Sequence, residues 1–209
     1  MKQNLKSELS RERILNAASA EFGTKGYAAA SLNTICTEHG ISKGLIYHNF
    51  KNKDALYLAC VAKCFAVFTE FLQAAHYDAG HGNIQMLFDL RNDFFRQNPF
   101  YSKLFFDATL QPPKHLLAEI KRCRAVFDTF NLEQYKAAIH TLTLRDGITE
   151  EDAVAYFCML VDFFNSSFQN KAPVDFNSLM EEHETKLSKT FAIMLYGIAI
   201  PDTKGGHLL

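Results

Sequence analysis

Tryptophan is absent from this sequence, proline is scarce at five residues, and the five cysteines are an odd number with no CxxC pair. That cysteine pattern fits neither a disulfide framework nor a zinc site. Cys60 and Cys64 stand four apart on an expected helix, where Cβ atoms lie about 5–6 Å from each other, too far for an unstrained bridge, so both read as small buried hydrophobes. No apolar run reaches the 18 or so residues that a membrane span needs, and the opening MKQNLKSELSRER has no apolar core for a signal peptide, so a cytoplasmic protein is expected. The eight histidines show no HxxxH or HExxH spacing. A Gly-rich phosphate loop and a nucleophile elbow are missing as well. An enzyme, a metal site and a bound cofactor are therefore not expected. Alternating apolar and polar residues and Asn-Gly hairpin signals do not occur, which leaves an all-α chain.

What is present is organised around Ser31 to Phe50, SLNTICTEHGISKGLIYHNF. Ser31 can cap a helix whose apolar face is Leu32, Ile35 and Cys36. Gly40 can reverse the chain at positive φ without a Cβ penalty, and Ser42 caps a second helix running to about Asn49. Ile41, Ile46 and Phe50 face inward. Lys43, Gly44, Leu45, Tyr47, His48 and Asn49 are left outside. A helix this short needs neighbours to exist, and its outer face carries cationic, hydroxyl and amide groups of the kind that contact phosphates and base edges in a major groove. An ordinary helical hairpin fits the same spacing.

Upstream, a polar and disordered arm is expected to about Lys6, then a bracing helix from Ser7 or Glu8 to about Gly23, ended by Gly23 and Gly26, with Ile14, Ala18 and Phe22 on one face. Downstream, Asn52 caps a long helix that is apolar over much of its circumference, a physical lever between two domains. A loop at 76–83 follows, then five more helices. Asn83 begins the first, and Asn98 caps the second with Pro99 in its first turn. A long one runs from about Lys114 to Leu144, with a kink or an interruption allowed near Asn131. Thr149 to Asp152 opens the fourth as a capping box. After a turn at Lys171 to Pro173, the last spans about Asp175 to Tyr196.

Charge is unevenly spread. Residues 1–53 hold eight Lys/Arg against four Glu, a net of +4, while the whole chain is −1. A basic head on an acidic body suits a nucleic-acid-binding module joined to a non-binding domain.

The run from Ser31 through Leu32, Ile35, Cys36, Gly40, Ile41, Ser42, Gly44, Ile46, Tyr47 and Phe50 to Lys53 resembles the DNA-binding domain of the tetracycline-repressor (TetR) family. The match extends upstream through Arg13, Ile14, Leu15, Ala17, Ala18, Phe22, Gly26 and Tyr27. Cys36 and His39 depart from the alanine usual in that family. The resemblance implies an N-terminal three-helix helix-turn-helix domain at 1–53 and a C-terminal helical domain at 54–209 for effector binding and dimerisation. It implies a transcriptional regulator, usually a repressor, that binds a palindromic operator on double-stranded DNA as a homodimer through its last two helices. The implied DNA-facing residues are Ser31, Asn33, Thr34, Ser42, Lys43, Gly44, Leu45, Tyr47, His48, Asn49 and Lys53.

Nineteen phenylalanines, most of them after residue 60, allow a cavity for a small, largely apolar effector lined by Phe88, Phe95, Phe105, Phe106, Phe127, Phe130 and Phe164. The same rings can simply fill a helical core. A third arrangement keeps the DNA-binding domain and makes the body a protein-interaction module without a small ligand.

Overall fold

Serine side chains and glycine backbones set the helix boundaries near the N-terminus of the computed structural model, which describes residues 2–75, 84–169 and 175–198, with backbone alone at 2–6, 84–85, 196 and 198. The expected loop at 76–83, Asn83 as a helix start and the turn at Lys171 to Pro173 lie outside the described residues. Nine α-helices and no β-strand occur among those described: α1 (Lys2–Ala29), α2 (Leu32–His39), α3 (Lys43–Asn49), α4 (Lys53–Ala74), α5 (Ile84–Gln97), α6 (Pro99–Leu110), α7 (Leu117–His140), α8 (Glu150–Gln169) and α9 (Phe176–Ile198). The chain is all-α, as its composition and periodicity required.

Several caps follow the sequence. Ser31 Oγ accepts from Asn33 N and Ser42 Oγ from Leu45 N, each at 3.2 Å. Gly40 takes the left-handed conformation at φ 58° and ends α2. Asn52 Oδ1 accepts from Ala55 N at 2.8 Å at the start of α4. Thr149 and Asp152 exchange side-chain to backbone bonds of 3.0 and 3.1 Å, a reciprocal box before α8.

Four expectations are corrected. The first helix begins at Lys2, not at Ser7 or Glu8, and runs through Gly23; of the two glycines expected to end it, Gly26 interrupts it, with a φ of 73° that leaves the helical region. Residues 2–6 are thus helical, not a disordered arm. Asn98 does not cap α6 with its side chain, because its Nδ2 donates backward to Phe94 O at 2.9 Å. The helix expected over Lys114 to Leu144 is a 3-10 turn at Lys114–Leu116 followed by α7, which ends at His140, where Thr141 Oγ1 donates to the Ala138 carbonyl.

The chain forms two compact units. The first comprises Met1–Phe68 and Phe94–Val126. Its core joins Ile14, Ala18 and Phe22 of α1, Ile35, Ile46 and Phe50 of the helical hairpin, and Leu56, Tyr57, Cys60 and Cys64 of α4, all buried. Helix α6 packs along α1. At this crossing Gly23 lies so close to the next backbone that a Cβ would stand 2.5 Å from Phe100 O. Phe65, Phe68, Phe94, Phe95, Phe105 and Phe106 form one aromatic cluster, with centroid separations such as 4.7 Å for Phe68 and Phe95 and 5.0 Å for Phe95 and Phe106. Helix α4 is apolar enough in length and composition to cross a membrane, and burial of Leu56, Val61, Phe65, Phe68 and Leu72 accounts for that character as a core helix.

The second unit comprises Thr69–Asp93 and Phe127–Leu209. Tyr135 stacks on Phe157 at 4.1 Å and donates to Ala153 O, while Phe191 packs against Phe157 and Phe88. Beside this cluster Arg91 meets Glu184 through two bonds of 3.0 and 3.2 Å. His183, buried between Phe164 and Phe168, places Nδ1 3.1 Å from Glu184 Oε1 and Nε2 3.1 Å from Asn165 Oδ1.

Candidate nucleic-acid interface

The helix that would read DNA has seven residues, too few to be stable alone, so its pose comes from its frame. Ile46 is buried on its inner side, flanked by buried Ile41 and Phe50. The start of α2 is fixed by Glu21, a buried carboxylate of α1 that accepts from Ser31 N at 2.9 Å and from Lys25 at 3.1 Å. Sequence spacing gives no sign of this role, because Glu21 stands ten residues before its backbone partner.

On this frame Ser42, Lys43, Gly44, Tyr47 and His48 are exposed, and Leu45 and Asn49 are half-buried. Tyr47 leaves 48% of its surface in solvent, a large aromatic side chain held outside the core. A Cβ on Gly44 would meet nothing within 4 Å. Asn49 Nδ2 is occupied by Leu45 O at 2.9 Å. On α2, Asn33 is exposed, while Thr34 and Ser31 are half-buried. Lys53, opening α4, donates to Ala28 O at 3.3 Å and rests 4.8 Å from the Tyr27 ring centroid. The first seven of these residues therefore share one short helix and its cap, whereas Lys53 is gathered to the end of α1.

Around Tyr27 a polar junction ties α1 to α4 and to the 3-10 turn. The phenol donates to Asp54 Oδ1 at 2.5 Å, and His115 Nε2 lies 3.3 Å from the phenol oxygen and 3.5 Å from Asp54 Oδ2. Desolvation and the neighbouring carboxylate raise the Tyr27 pKa to about 12, so the phenol keeps the proton it donates. Burial likewise pushes the Cys60 thiol up to about 12 and the Cys64 thiol higher still, which leaves both unreactive at neutral pH. Among the described residues no cluster of His, Cys, Asp or Glu could hold a metal ion.

The seven phenylalanines assigned to an effector cavity are all buried, and they divide between the two units. Phe95, Phe105 and Phe106 are in mutual ring contact within the first unit. Phe88, Phe127, Phe130 and Phe164 belong to the second, where Phe88 meets Phe191, Phe164 meets His183, and the Phe127 centroid is 5.9 Å from the Arg91 guanidinium. A cleft of about 340 Å³ between α1 and the start of α6 is bordered by Asn16, Ala20, Gln97, Pro99 and Phe100, and by none of the seven.

A capped hairpin of two short helices, braced by a third and presenting hydroxyl, ammonium and imidazole groups, defines a helix-turn-helix protein of the class that regulates transcription. Residues 14–60 match the family described as bacterial regulatory proteins, tetR family. The chain is 25% identical over 171 residues to IcaR of Staphylococcus epidermidis, the negative transcriptional regulator of a biofilm operon, covering 77% of this chain and 86% of that protein. It is 36% identical over 83 residues to the transcriptional regulator UidR of Escherichia coli, a match spanning 37% of this chain and 42% of UidR. Among solved structures, the SmeT–triclosan complex superimposes with a TM-score of 0.63 at 17% identity over 93% of each chain; SmeT is the repressor of a Stenotrophomonas maltophilia multidrug efflux pump. Residues 14–60 are thus those of a tetR-family DNA-binding region, and the chain as a whole is similar to transcriptional regulators of that family.

Proposed function

We propose that this protein binds a palindromic operator as a homodimer, reads it with α3, and is released by a small, largely apolar effector held in its C-terminal body. The observation carrying this reading is the exposed face of α3, where Lys43, Gly44, Tyr47 and His48 project from a helix whose opposite side is buried. Tyr47, Ser42 and Lys43 suit phosphates, Leu45 suits a thymine methyl, and His48 can meet a base edge. Asn33, Thr34 and Ser31 of the preceding helix, and Asn49 and Lys53 beyond α3, complete the proposed contacts. The triclosan bound to SmeT is consistent with an apolar effector for a fold of this kind. Effector and operator would each favour a different arrangement of the same dimer, and a coupling of about 1–3 kcal/mol suffices for control.

Selection of bound sites from random duplex DNA tests the reading: recovery of an inverted repeat supports it, and recovery of no preferred sequence removes it. Gly44 offers a sharper test. Alanine there adds a methyl into open space and improves helix propensity, so Gly44→Ala should raise unfolding stability by about 0.5–1 kcal/mol. On a face pressed into a groove the same methyl intrudes, and operator affinity should fall by tenfold or so, about 1.4 kcal/mol. Urea denaturation and fluorescence anisotropy check the two signs separately.

For the dimer, Tyr156, Met159 and Phe163 recur at i, i+3 and i+7 on α8 and are each about two-thirds exposed or more, as is Ile193 on α9. Such a stripe on a single chain favours a second copy as its cover. Phe163→Asp is expected to shift the protein from dimer to monomer in sedimentation equilibrium at micromolar concentration, since a carboxylate buried at an apolar contact costs several kcal/mol. A persisting dimer would place the interface elsewhere.

A further inference from the structure

We propose that Arg11 and Arg13 are positioning residues for DNA reading, two cations on α1 that hold the turn leading into the recognition helix and the last residue of that helix instead of touching DNA; the inference rests on the DNA-binding function proposed above. Both are exposed arginines near the reader, so the plain alternative is that they neutralise phosphates. One terminal nitrogen of each guanidinium, however, is already held by backbone carbonyls of the hairpin. Arg13 Nη2 donates to His39 O at 2.9 Å and to Gly40 O at 3.3 Å. These are carbonyls at the C-terminal end of α2, which lack helical partners and carry the negative end of the helix dipole. Arg11 Nη1 reaches Asn49 O at 3.5 Å, at the end of α3, and its guanidinium carbon lies 4.4 Å from the Phe50 ring centroid.

The grip therefore falls just ahead of α3, two residues before its Ser42 cap, and at its last residue. Side chains two apart on a helix leave it in different directions, which lets Arg13 reach the turn before α3 while Arg11 reaches its last residue. A seven-residue helix has little resistance to tilting, and a base contact is made or lost within a few tenths of an ångström. Fixing the turn before it and its last residue to the longer α1 converts a marginal helix into a rigid reader.

The test uses the full-length protein, its selected duplex, and a scrambled duplex of equal length, each titrated across a salt series. If the arginines position the helix, Arg13→Ala should weaken binding to the selected duplex about tenfold, as loss of charge-assisted hydrogen bonds would. Binding to the scrambled duplex should stay within about twofold and the slope of log affinity against log salt should not change, since no phosphate contact is removed. Arg11→Ala should show the same pattern with a smaller loss, its hydrogen bond being the longer one. Equal losses on both duplexes, or a slope reduced by about one unit, would overturn the proposal in favour of general destabilisation or a phosphate contact. Unchanged affinity for the selected duplex would overturn it too. A wild-type protein that prefers no duplex would instead remove the DNA-binding function itself, and the two failures are thereby distinguished.

Discussion

Replacing Glu184 with alanine is expected to lower the unfolding free energy by about 3–5 kcal/mol, because it removes the carboxylate that meets the buried Arg91 guanidinium through two hydrogen bonds. The two side chains expose only 7% and 10% of their surface. Their two hydrogen bonds join α5 to α9, and His183 adds a third contact to the same carboxylate. Burial by itself would raise the Glu184 pKa, but the positive charge of Arg91 and the hydrogen bonds from His183 and Arg91 outweigh it and hold the carboxyl at about 2, below its ordinary 4.5. The sign of the pH dependence follows. The unfolded chain takes up this proton more readily than the folded one, so the stabilisation is complete above about pH 4.5 and is lost as pH falls toward 2, a contribution on the order of 3 kcal/mol. Urea denaturation of wild type and Glu184→Ala at pH 7 and again near pH 3 measures both effects: the gap between the two proteins should be wide at pH 7 and narrower at pH 3. Glu184→Gln, which keeps shape and one acceptor, should fall between them. A loss below about 1 kcal/mol at pH 7 would mean that the pair is solvated and of the strength of a surface ion pair.

That pair also shows where reading the sequence reaches its limit. Arg91 and Glu184 are 93 residues apart, and neither sits in a pattern that names the other. Arg13 and its carbonyl partners are separated by 26 and 27 residues, and Tyr27 and His115 by 88. Features written within a turn or two of the chain were legible: the serine caps of α2 and α3, the left-handed Gly40, the Asn52 cap and the Thr149 box each depend on residues within four positions of one another. So was the inner face of the hairpin, since Ile35, Ile46 and Phe50 keep helical spacing and are buried. Misread elements share a different cause. Asn98 is a strong capping type, yet a competing acceptor, Phe94 O, lies one turn behind it and takes its amide. The start of the helix expected from Lys114 is instead a 3-10 turn at Lys114–Leu116, because propensity does not distinguish a tight first turn from an α-helical one. Glycine carried different meanings at different places. Gly26 supplies a kink through its positive φ, whereas Gly23, three residues earlier, stays helical and owes its place to a neighbour nearly eighty residues away.

Gly23 accordingly supports a prediction whose sign separates the two roles of glycine. Taken as a helical position alone, Gly23→Ala should stabilise the protein by about 0.5–1 kcal/mol, since alanine is the better helix former. The packing demands the reverse. An added Cβ would stand 2.5 Å from Phe100 O and 2.8 Å from both Phe100 Cα and Cβ. The first two of these atoms are backbone and cannot swing aside as a flexible side chain could, so α1 and α6 must part. Overpacking of this kind costs about 1–3 kcal/mol, and separating two helices along a shared face adds lost dispersion contacts nearby. The expected net result is destabilisation by about 2 kcal/mol in urea denaturation, on the scale of a substantial part of a domain's total stability. A consequence for DNA binding follows from what α1 carries. Arg11, Arg13 and Glu21 all lie within the helix that must shift, and each holds a backbone group of the α2–α3 hairpin or of the segment leading into it. Gly23→Ala should therefore weaken binding to the selected duplex by more than its loss of folded protein explains, measured as affinity per active molecule after stoichiometric titration. The paired control is Gly44→Ala, where the same substitution meets open space and stability should rise. If Gly23→Ala behaved as Gly44→Ala does and increased stability, α1 and α6 would have to lie farther apart at this crossing, and their packing could not be what holds α1 in place behind the reader.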